Sequence, residues 1–535
     1  MASVVLDRPA LGQVAALGSF YDARTDTFIP LSLFRSPPPI DAIATTKNHS
    51  TITKYSETDT FKDKLDFLGV KAELGASILA GLVSVEGSGR YLSDTRNSNL
   101  VAQASMHYSI TTVDEKLNIT ANGVAECLAF RALDTDVATH VVVGITWGAR
   151  CVVSAKKQVA LSASRGQVTG EVQSGLSLLK LFTVSADAGG GADKDATEVT
   201  IDRSFELTVH GDVLANDGVT PTDFDGARSF VRSLPKYIEC ANDGKGKPIS
   251  YTLMPLTLLS MFNLVEVKAD LTLHQLSLDC LDRFVKLFDD FHGAKQKLYD
   301  YHTRLQSQPT TVPHGHLQEV HDMLGRLRGW EATAKSDYAS ILEEVRSGKA
   351  DAQKLSDFLE KCRSGELSTN TVKSLMCHVD KMDFVDLIVR DGAKYVGYGG
   401  PTLSTLLLEN QHDDAYVMYF NDDLRTSSEG RGWSDATAVL LELLRDRSRS
   451  RLMVVVDCDA VGSALEKIYV SQLRNGHVIV EDVLEQRKIL ATNCVMRYDG
   501  AALDRAVRTK PLQRRAVKVH CPQSYCDRTL QPSCT

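Results

Sequence analysis

The feature that most constrains this chain is an order of elements that occurs twice in its N-terminal half: a long strand, a segment rich in small residues, and another long strand. Alternating apolar and polar residues indicate strands in "VAQASMHYSITT" (101–112) and "EVTIDRSFELTVH" (198–210), and the apolar run "THVVVGITWGARCVV" (139–153) indicates a buried strand. The two small-residue segments cover 64–99 and 156–195. Because these strands exceed the ~5–6 residues usual in globular sheets, they predict a large sheet with two unusual insertions.

The first insertion carries an apolar pattern that fits two secondary structures. In "VKAELGASILAGL" (70–82) every even-numbered residue is apolar. The odd-numbered residues are charged, polar or glycine, except Leu79. Every fourth residue from Val70 to Leu82 also forms the stripe of an amphipathic helix. The pattern therefore fits both a helix packed on a core and a strand with one face in a membrane. The alternating row consists of Val70, Ala72, Leu74, Ala76, Ile78, Ala80 and Leu82.

The second insertion combines helical spacing with residues that weaken a helix. It contains Gly166, Gly170 and Gly175, and glycine costs ~1 kcal/mol relative to alanine at each helical position. Both insertions are compatible with surface helices of modest amphipathicity. The pattern alone favours that interpretation. They are also compatible with helices that convert into membrane hairpins, because a strand of a closed barrel spans a bilayer with ~9–11 residues. The apolar stripe of the second insertion consists of Val168, Val172, Leu176 and Leu179.

The rest of the chain changes periodicity twice. From about residue 271 the apolar period becomes 3.6, which predicts the long helices of a bundle. After residue 381, the short buried strands "DDAYVMYFND" and "SRLMVVVDCD" flank the helix "WSDATAVLLELLRD", which predicts an α/β unit. We therefore predict a multidomain α+β chain with a sheet-containing domain, a helical bundle, an α/β domain and a disordered tail. The predicted boundaries are 1–265, 266–380, 381–515 and 516–535.

Composition argues against several classes of function. A net charge of −8 gives no basic field, so nucleic acid is not expected as a partner. No run approaches the ~18 apolar residues of a membrane-spanning helix. The start "MASVVLDRPALGQVAALGSF" lacks the features of a signal peptide, so we expect a cytoplasmic protein or one exported by a non-classical route. Most of the eleven cysteines lie in apolar runs and are expected to be buried thiols, whereas Cys521, Cys526 and Cys534 give only a weak metal signal.

Three motifs resemble active-site sequences but favour structural interpretations. Asp457 and Asp459 follow an apolar strand as in aspartate phosphotransferases, yet that motif should open its domain, and here it lies close to the end of the chain. The glycine-rich stretch "GYGGPTLS" (397–404) lacks the lysine of a phosphate-binding loop and is expected to be a turn. His140 lacks a nearby partner and is expected to be a hydrogen-bonded sheet residue. We therefore expect no catalytic residue, no metal site and no cofactor, and a protein that is not an enzyme.

Three phrases of the sequence resemble a known family. The stretches "VLDRPALGQVAALGSFYDARTDTFIPLSLF" (5–34) and "ILAGLVSVEGSGRYLSDTRNS" (78–98) are similar to the stonustoxin-type cytolysins of venomous fish. So is "ALDTDVATHVVVGITWGARCV" (132–152). The similarity extends across residues 1 to about 510.

The resemblance implies a fold for each domain. The family order is a perforin-like (MACPF/CDC) domain with a bent antiparallel sheet and two helical clusters, a helical bundle of the focal-adhesion-targeting (FAT) type, and a thioredoxin-like domain without redox cysteines. A PRY-SPRY domain follows in the family, and this chain, which ends at Thr535, leaves no room for it. The resemblance also implies that the two insertions are the clusters that become membrane hairpins. Gly189, Gly190 and Gly191 would then be the permissive backbone where the second cluster rejoins the sheet.

Two hypotheses of function follow. In the first, the protein forms pores: subunits bind a lipid membrane, associate as homo-oligomers or with a related subunit, and insert both segments as β-hairpins. In the second, it is a non-lytic intracellular interaction protein whose bundle binds a partner and whose insertions stay helical. Charges within the insertions, such as Lys71, Glu73 and Glu171, are compatible with the second hypothesis. Leakage of dye from liposomes distinguishes the two.

Overall fold

The computed structural model of the chain shows two compact units. The first unit is Met1–Asp383, and the second begins at Phe384. The predicted boundaries at 265 and 380 stay a prediction, and the predicted tail lies outside the described residues. The structure describes residues 4–57, 60–129, 137–159, 168–173, 176, 205–213, 220–261, 273–409, 414–427, 431–446 and 451–490.

An antiparallel sheet with eight described strands forms the framework of the first unit. Strands β5 and β6, with 17 and 19 residues, confirm the strands predicted over 101–112 and 139–153. Strand β4, with 14 residues, was not predicted, and β7 has six residues at the end of the strand predicted over 198–210, most of which lies outside the described residues. The strands are β1 Leu6–Pro9, β2 Ser19–Asp22, β3 Thr27–Ser32, β4 Ile43–Ser56, β5 Val101–Leu117, β6 His140–Gln158, β7 Glu206–Gly211 and β8 Lys247–Pro255.

Strand β6 connects two regions of this sheet. Along one side it pairs with β5 over most of its length, from Gly144 to Gln158. Along the other side it pairs first with β8, over 140–148, and then with β7, over 151–156. Strands β4, β5, β6 and β7 therefore lie side by side as a four-stranded antiparallel meander. Strands β1, β2, β3 and β8 extend the sheet around the first part of β6.

Strand β6 changes its partner from β8 to β7 at a position that requires a glycine. Gly148 lies where the β6–β8 pairing ends, next to register shifts in both neighbouring ladders. Its φ is +155°, and a Cβ atom placed there would lie 2.0 Å from the carbonyl oxygen of Ile110. The backbone of Gly246 approaches from the other side, since a Cβ on Gly246 would lie 2.2 Å from the carbonyl oxygen of Gly148. Such irregularities bend a strand, so this pair of glycines fixes where the sheet bends.

Replacing Gly148 by alanine should destabilise the first unit. The added methyl group would contact the Ile110 carbonyl in a backbone conformation that alanine rarely adopts, so we expect a loss of roughly 2–5 kcal/mol in the free energy of unfolding. Urea denaturation would measure it. Gly325→Ala is the matched control, because nothing lies within 4 Å of the added Cβ and alanine favours a helix by up to ~1 kcal/mol. Equal stability of the two variants would contradict this role of Gly148.

The helices of the first unit fall into two groups. Two helices and a 3-10 helix connect β4 to β5, a helix of 16 residues follows β7, and one of five residues follows β8. The remaining helices form the bundle predicted from the 3.6-residue period, and the last of them, α9, continues into the second unit. These helices are α1 Phe61–Leu68, α2 Ala72–Ala80, the 3-10 helix Gly87–Ser93, α3 Phe224–Glu239, α4 Thr257–Met261, α5 Leu278–Ser307, α6 His314–Arg346, α7 Gln353–Ser364, α8 Thr369–Leu375 and α9 Val379–Arg390.

Helices α5 and α6 are the long helices of the bundle, with 30 and 33 residues. Ser277 begins α5 by accepting a hydrogen bond from the amide of Cys280. Their predicted apolar stripes face the core, as Phe288 and Tyr338 illustrate, whereas Leu278 at the first position of α5 is exposed. Among the described helices, none combines the length and the hydropathy that crossing a membrane requires.

The second unit is an α/β domain on a five-stranded sheet. Strands β9, β11 and β10 are parallel neighbours, and β12 and β13 continue the sheet in antiparallel fashion. In the described part of this unit the one cysteine is Cys458, which is buried. The elements are β9 Lys394–Val396, α10 Leu403–Glu409, β10 Asp414–Phe420, α11 Asp422–Thr426, α12 Arg431–Arg445, β11 Leu452–Asp457, α13 Cys458–Val461, β12 Tyr469–Arg474 and β13 His477–Val480.

Candidate functional site

The two insertions leave the four-stranded meander at the same end. Residues 57–100 connect β4 to β5, and residues 159–205 connect β6 to β7. The pairs nearest this end are Ser56–Ser105, Val101–Gln158 and Lys156–Glu206. Each insertion therefore joins two neighbouring antiparallel strands, and the two hairpins lie side by side because β5 pairs with β6.

The first insertion has clear helix boundaries. Thr60 begins α1 by accepting a hydrogen bond from the amide of Asp63 at 3.1 Å. Gly69 ends α1 and Gly81 ends α2, each in the left-handed conformation, with φ values of +69° and +81°. These signals explain why a sequence that alternates like a strand is helical in this conformation.

Every residue of the alternating row 70–82 is at least partly covered. Helix α2 packs between the sheet and the bundle, in one apolar cluster with Val152 of β6, Phe284 of α5 and Tyr338 of α6. Residues of the opposite parity, such as Ser77 and Leu79, are buried as well. The packing thus follows the helical period. Of the row, Val70, Leu74, Ala76 and Ala80 are buried, and Ala72, Ile78 and Leu82 are half-buried.

A buried carboxylate fastens α2 to the bundle. Asp26, which lies between β2 and β3 and is 1% exposed, accepts a hydrogen bond from Ser77 Oγ of α2 at 2.6 Å. It also accepts one from Arg346 Nη1 at the end of α6 at 2.9 Å and one from Tyr21 Oη at 2.5 Å. Arg346 Nη1 donates to Ser77 Oγ too, at 2.7 Å. Arg8 of β1 lies 3.4 Å from the carboxylate. We call these five residues the Asp26 cluster.

The charges of the Asp26 cluster compensate one another. Burial by itself would raise the pKa of Asp26, but the positive charges of Arg346 and Arg8, with hydrogen bonds from Ser77 and Tyr21, lower that pKa below its ordinary value. Burial and the neighbouring carboxylate of Asp26 raise the pKa of Tyr21, so its phenol stays a donor. A charged group buried this deeply is stable only while its partners stay in place. The position of α2 is therefore coupled to β1, β2 and α6.

Helix α5 holds the start of the same insertion. The Asp289 carboxylate accepts hydrogen bonds from the amides of Phe61 at 2.6 Å and Lys62 at 3.3 Å, in the first turn of α1. Such a carboxylate also interacts favourably with the helix dipole. On the surface, Lys62 Nζ lies 3.3 Å from Asp282 Oδ1. Through these polar contacts the bundle holds α1 by α5 and α2 by α6, while α2 also packs on apolar residues of both long helices.

Asp94 links the first insertion to the strands that flank the second. Its carboxylate accepts a hydrogen bond from Lys156 Nζ of β6 and lies 3.5 Å from His210 Nε2 of β7. Burial would raise the pKa of Asp94, but hydrogen bonds from His210 and Lys156 lower it well below its usual range. Its carbonyl oxygen accepts a hydrogen bond from Lys64 Nζ of α1 at 2.6 Å. Asp94 therefore ties the first insertion to the two strands between which the second insertion runs.

The second insertion is described in part. Residues 168–173 are helical, and Val168, Val172 and Leu176 are buried, as expected for the face of a packed helix. Lys157 of β6 forms an ion pair with Glu171 at 3.1 Å. Leu179 and the predicted hinge, Gly189, Gly190 and Gly191, lie outside the described residues.

The predicted turn at Asp457 has a structural role. Its side chain is fully buried, accepts a hydrogen bond from the amide of Asp459 at 3.1 Å and one from Tyr395 Oη at 2.9 Å. Asp457 is thus the N-cap of α13. Its carboxylate holds a strand end, as the turn interpretation predicted.

The two other motifs also have local structural partners. Residues 397–404 form a turn in which the amide of Gly400 bonds to the carbonyl of Gly397, and Thr402 caps α10 through the amide of Thr405. His140 hydrogen-bonds Thr139 Oγ1 at 2.8 Å, and burial lowers its pKa to about 4. His140 is therefore the hydrogen-bonded, neutral sheet residue that the sequence suggested.

No local pattern in the sequence predicts the Asp26 cluster. Its members are separated by up to 338 positions, since Arg8 and Arg346 are brought together only by the fold. An aspartate in "YDARTDTF" looks like an ordinary turn residue, and an arginine at a helix end looks solvent-exposed. The one weak signal is Ser77, a polar residue in an otherwise apolar helix core.

Two protein-family models match separate parts of the chain. The family model described as "SNTX, MACPF/CDC-like domain" matches residues 5–279, about half of the chain. A second model, a domain of unknown function (DUF7656), matches residues 387–488.

Relatives and a solved structure agree with the first match. Cytolytic toxin-alpha of Scorpaena plumieri is 27% identical over 299 residues, which are 54% of this chain and 40% of the relative. Stonustoxin subunit alpha of Synanceia horrida is 23% identical over 375 residues, 70% of this chain and 51% of the relative. The chain thus spans about half the length of these curated relatives. The solved stonustoxin structure covers 90% of this chain and 68% of its own at a TM-score of 0.50 and 16% identity, which confirms the expected fold class.

Removing the central charge of the Asp26 cluster should destabilise the first unit strongly. Asp26→Asn keeps the volume but leaves the buried guanidinium of Arg346 without a counter-charge, and Arg8 with only the more exposed Glu73 at 3.6 Å. We therefore expect a loss of about 3–5 kcal/mol in the free energy of unfolding. Denaturant unfolding at neutral pH would measure it. Asp66→Asn on the exposed side of α1 is the control and should change stability by less than about 0.5 kcal/mol.

The same variant predicts a pH dependence. Because the pKa of Asp26 is lowered in the folded protein, its carboxylate stabilises the fold fully above about pH 4, and this contribution is lost as the pH falls further. The stability difference between the wild type and Asp26→Asn should therefore be constant from pH 5 to 8 and shrink below about pH 4. A difference that does not change with pH would show that the charge of Asp26 is irrelevant.

Proposed function

The chain belongs to the SNTX, MACPF/CDC-like family, and on that premise we propose that it is a pore-forming protein. In this proposal, subunits gather on a lipid membrane and each converts its two insertions into β-hairpins. No enzymatic step enters the proposal. The site of action is the membrane of a target cell.

The observation that carries the proposal is the common exit of both insertions from the meander. Extending β4 and β5 through residues 57–100, and β6 and β7 through residues 159–205, would lengthen two adjacent hairpins in the register that the sheet already has. Each subunit would then contribute four continuous strands. Their hydrogen bonds would continue those of the sheet, as a structure within a bilayer requires.

The first insertion has the composition that this conversion needs. The alternating row from Val70 to Leu82 supplies an apolar face longer than the ~9–11 residues that span a bilayer. Its opposite face is small or polar, as a strand facing an aqueous lumen requires. Alanine and glycine contribute to both states, because they pack closely against the sheet as a helix and add little bulk to a strand. The residues assigned to the membrane face are therefore those of this row together with Val168, Val172, Leu176 and Leu179.

Conversion would require the release of polar contacts at both helices of the first insertion. Helix α2 must leave the Asp26 cluster through Ser77, and α1 must leave Asp289 of α5. These contacts can be made only in the helical state. They would keep the insertions folded until membrane binding or assembly displaces α1 and α2 from α5 and α6.

The open edge of the meander supports assembly between subunits. Strand β4 pairs with β5 on one side, and none of the other described strands pairs with it. Most of its 14 residues are exposed. Such an edge can accept a strand of another chain, and its lysines, Lys47 and Lys54, are typical of edges that resist uncontrolled pairing. Because relatives carry the names stonustoxin subunit alpha and subunit beta, a related chain is a partner as plausible as a second copy.

The alternative function is a non-lytic interaction protein with the same fold. The observation in its favour is the Asp26 cluster, since five hydrogen-bonded or ion-paired groups hold α2 in its helical position. Under this alternative the insertions never leave the bundle. The bundle surface would then bind another protein.

Dye leakage from liposomes tests the proposal directly. The full chain, added to vesicles made of a cell-membrane lipid extract, should release an encapsulated dye and form ring-shaped oligomers visible by electron microscopy. A monomer that leaves the vesicles intact at all concentrations, both alone and with a related subunit, would support the non-lytic alternative.

A reversible tether tests the conversion itself. Lys62 and Asp282 are about half exposed, and their charged groups lie 3.3 Å apart, so cysteines at both positions can be bridged by a short, reducible bis-maleimide. Because α1 could then not leave α5, leakage should be lost in the bridged protein and restored by reduction. Leakage by the bridged protein at the wild-type rate would exclude the conversion of the first insertion.

The matched control places the same bridge within the bundle. Glu344 of α6 and Lys354 of α7 also form an exposed ion pair, and neither lies in an insertion. Cysteines at these positions should leave leakage unchanged when bridged. Wild-type protein treated with the reagent controls for the exposed native thiols Cys240 and Cys377.

A further inference from the structure

A cluster of metal-binding side chains lies at one end of the bundle, away from both insertions. His316 in the first turn of α6 meets Cys377 and His378, which lie between α8 and α9. One potential ligand atom of each residue lies within 4.8 Å of the others. The rings of His316 and His378 are 4.9 Å apart and nearly perpendicular. Two imidazoles and a thiol thus converge from separate parts of the chain.

The surroundings of His316 resemble those of a metal-bound histidine. Its Nε2 atom is 2.8 Å from the hydroxyl of buried Tyr301 on α5. A metal-bound histidine uses its second nitrogen in such a contact, which fixes the orientation of the ring. The Tyr301 hydroxyl would therefore accept a hydrogen bond from Nε2–H and leave Nδ1 of His316 free to bind a metal ion. His316 is itself largely buried, which restricts its ring further.

A fourth ligand is within reach. Glu319, one turn along α6, has Oε2 3.4 Å from Nδ1 of His316. Two ligands of a tetrahedral zinc ion with bonds of about 2.0–2.1 Å are separated by about 3.3 Å. The Glu319 side chain is mostly exposed, so it can adjust its position. Residues three or four positions apart in a helix lie on the same face. His316 and Glu319 are three positions apart, so their side chains can bind the same ion.

We propose that His316, Cys377, His378 and Glu319 bind a zinc ion. A thiolate with two imidazoles favours zinc over magnesium or calcium, which prefer oxygen ligands. Cys377 loses its proton on binding, and the charge of the thiolate and of Glu319 balances that of the ion. Such a site connects the N-terminal turn of α6 to the α8–α9 junction, with Tyr301 of α5 as a positioning residue. Zinc binding at this site does not require the proposed pore-forming function.

The sequence did not predict this site. His316 and Cys377 are 61 positions apart, and "PHGHLQE" and "LMCHVD" match no spaced metal motif. Only the antiparallel packing of α5 and α6, followed by the turn back through α7 and α8, brings the two short stretches together. The cysteine-containing tail gave a weak metal signal from spacing alone, and it is the natural competitor in a binding experiment.

Zinc and cobalt binding to the full chain test the proposal. After treatment with a chelator, the wild type should bind one zinc ion in competition with a chromophoric chelator and gain thermal stability. Cobalt in the same site should give the intense ligand-field bands of tetrahedral coordination and a thiolate-to-cobalt charge-transfer band. Cys377→Ser should abolish the charge-transfer band and weaken zinc binding at least 10-fold; it removes an exposed thiol, so the fold should be retained.

Further variants test Tyr301 as a positioning residue and exclude other cysteines as the thiolate ligand. Tyr301→Phe should weaken zinc binding by about 10-fold while the thiolate band remains, because the ligands are intact. Cys240→Ser, and the triple variant Cys521→Ser, Cys526→Ser and Cys534→Ser, should leave the cobalt spectrum unchanged. Unchanged zinc affinity in Cys377→Ser, or loss of the thiolate band in the tail variant, would overturn the proposal.

Discussion

The structure of the first unit depends on one buried carboxylate. Asp26 is surrounded by two arginines, a tyrosine and a serine that come from β1, β2, α2 and α6. A buried ion of this kind contributes little net stability compared with well-packed apolar residues, but removing any partner is costly. Its effect is therefore specificity: it determines where α2 lies relative to α6.

The composition of the first insertion explains why such a polar contact is useful. Residues 70–82 are apolar on one parity and small or polar on most of the other, so they satisfy a helix and a strand almost equally. Left-handed glycines at 69 and 81 end the helices without preventing an extended backbone. A segment with two acceptable conformations needs an interaction that exists in only one of them. Ser77 provides it, because its hydroxyl meets Asp26 and Arg346 only when the segment is helical.

Periodicity predicted the architecture but not the contacts between its parts. The long strands, the bundle and the α/β unit follow from local patterns of two and 3.6 residues, which depend on neighbours in sequence. The sequence of α2 fits either a helix or a strand. Both its even-numbered and its odd-numbered residues are buried in the structure, which is the pattern of a helix packed on two sides. Asp26 and Arg346, like His316 and Cys377, meet through tertiary packing, and nothing local marks them. Gly148 was likewise not predictable, because its requirement comes from the carbonyl of a neighbouring strand.

Helix α6 connects these separate features. At its C-terminal end Arg346 holds α2 through the Asp26 cluster, and at its N-terminal end His316 belongs to the proposed zinc site. The two ends of its 33 residues are about 50 Å apart at 1.5 Å per residue. A helix this long can hold α2 in place only if it does not slide along α5, since a shift of one turn would move Arg346 beyond the reach of Asp26. Zinc at the opposite end would resist that shift. The ion and the buried carboxylate would therefore act on the same mechanical element, one fixing the helix and the other using its fixed position.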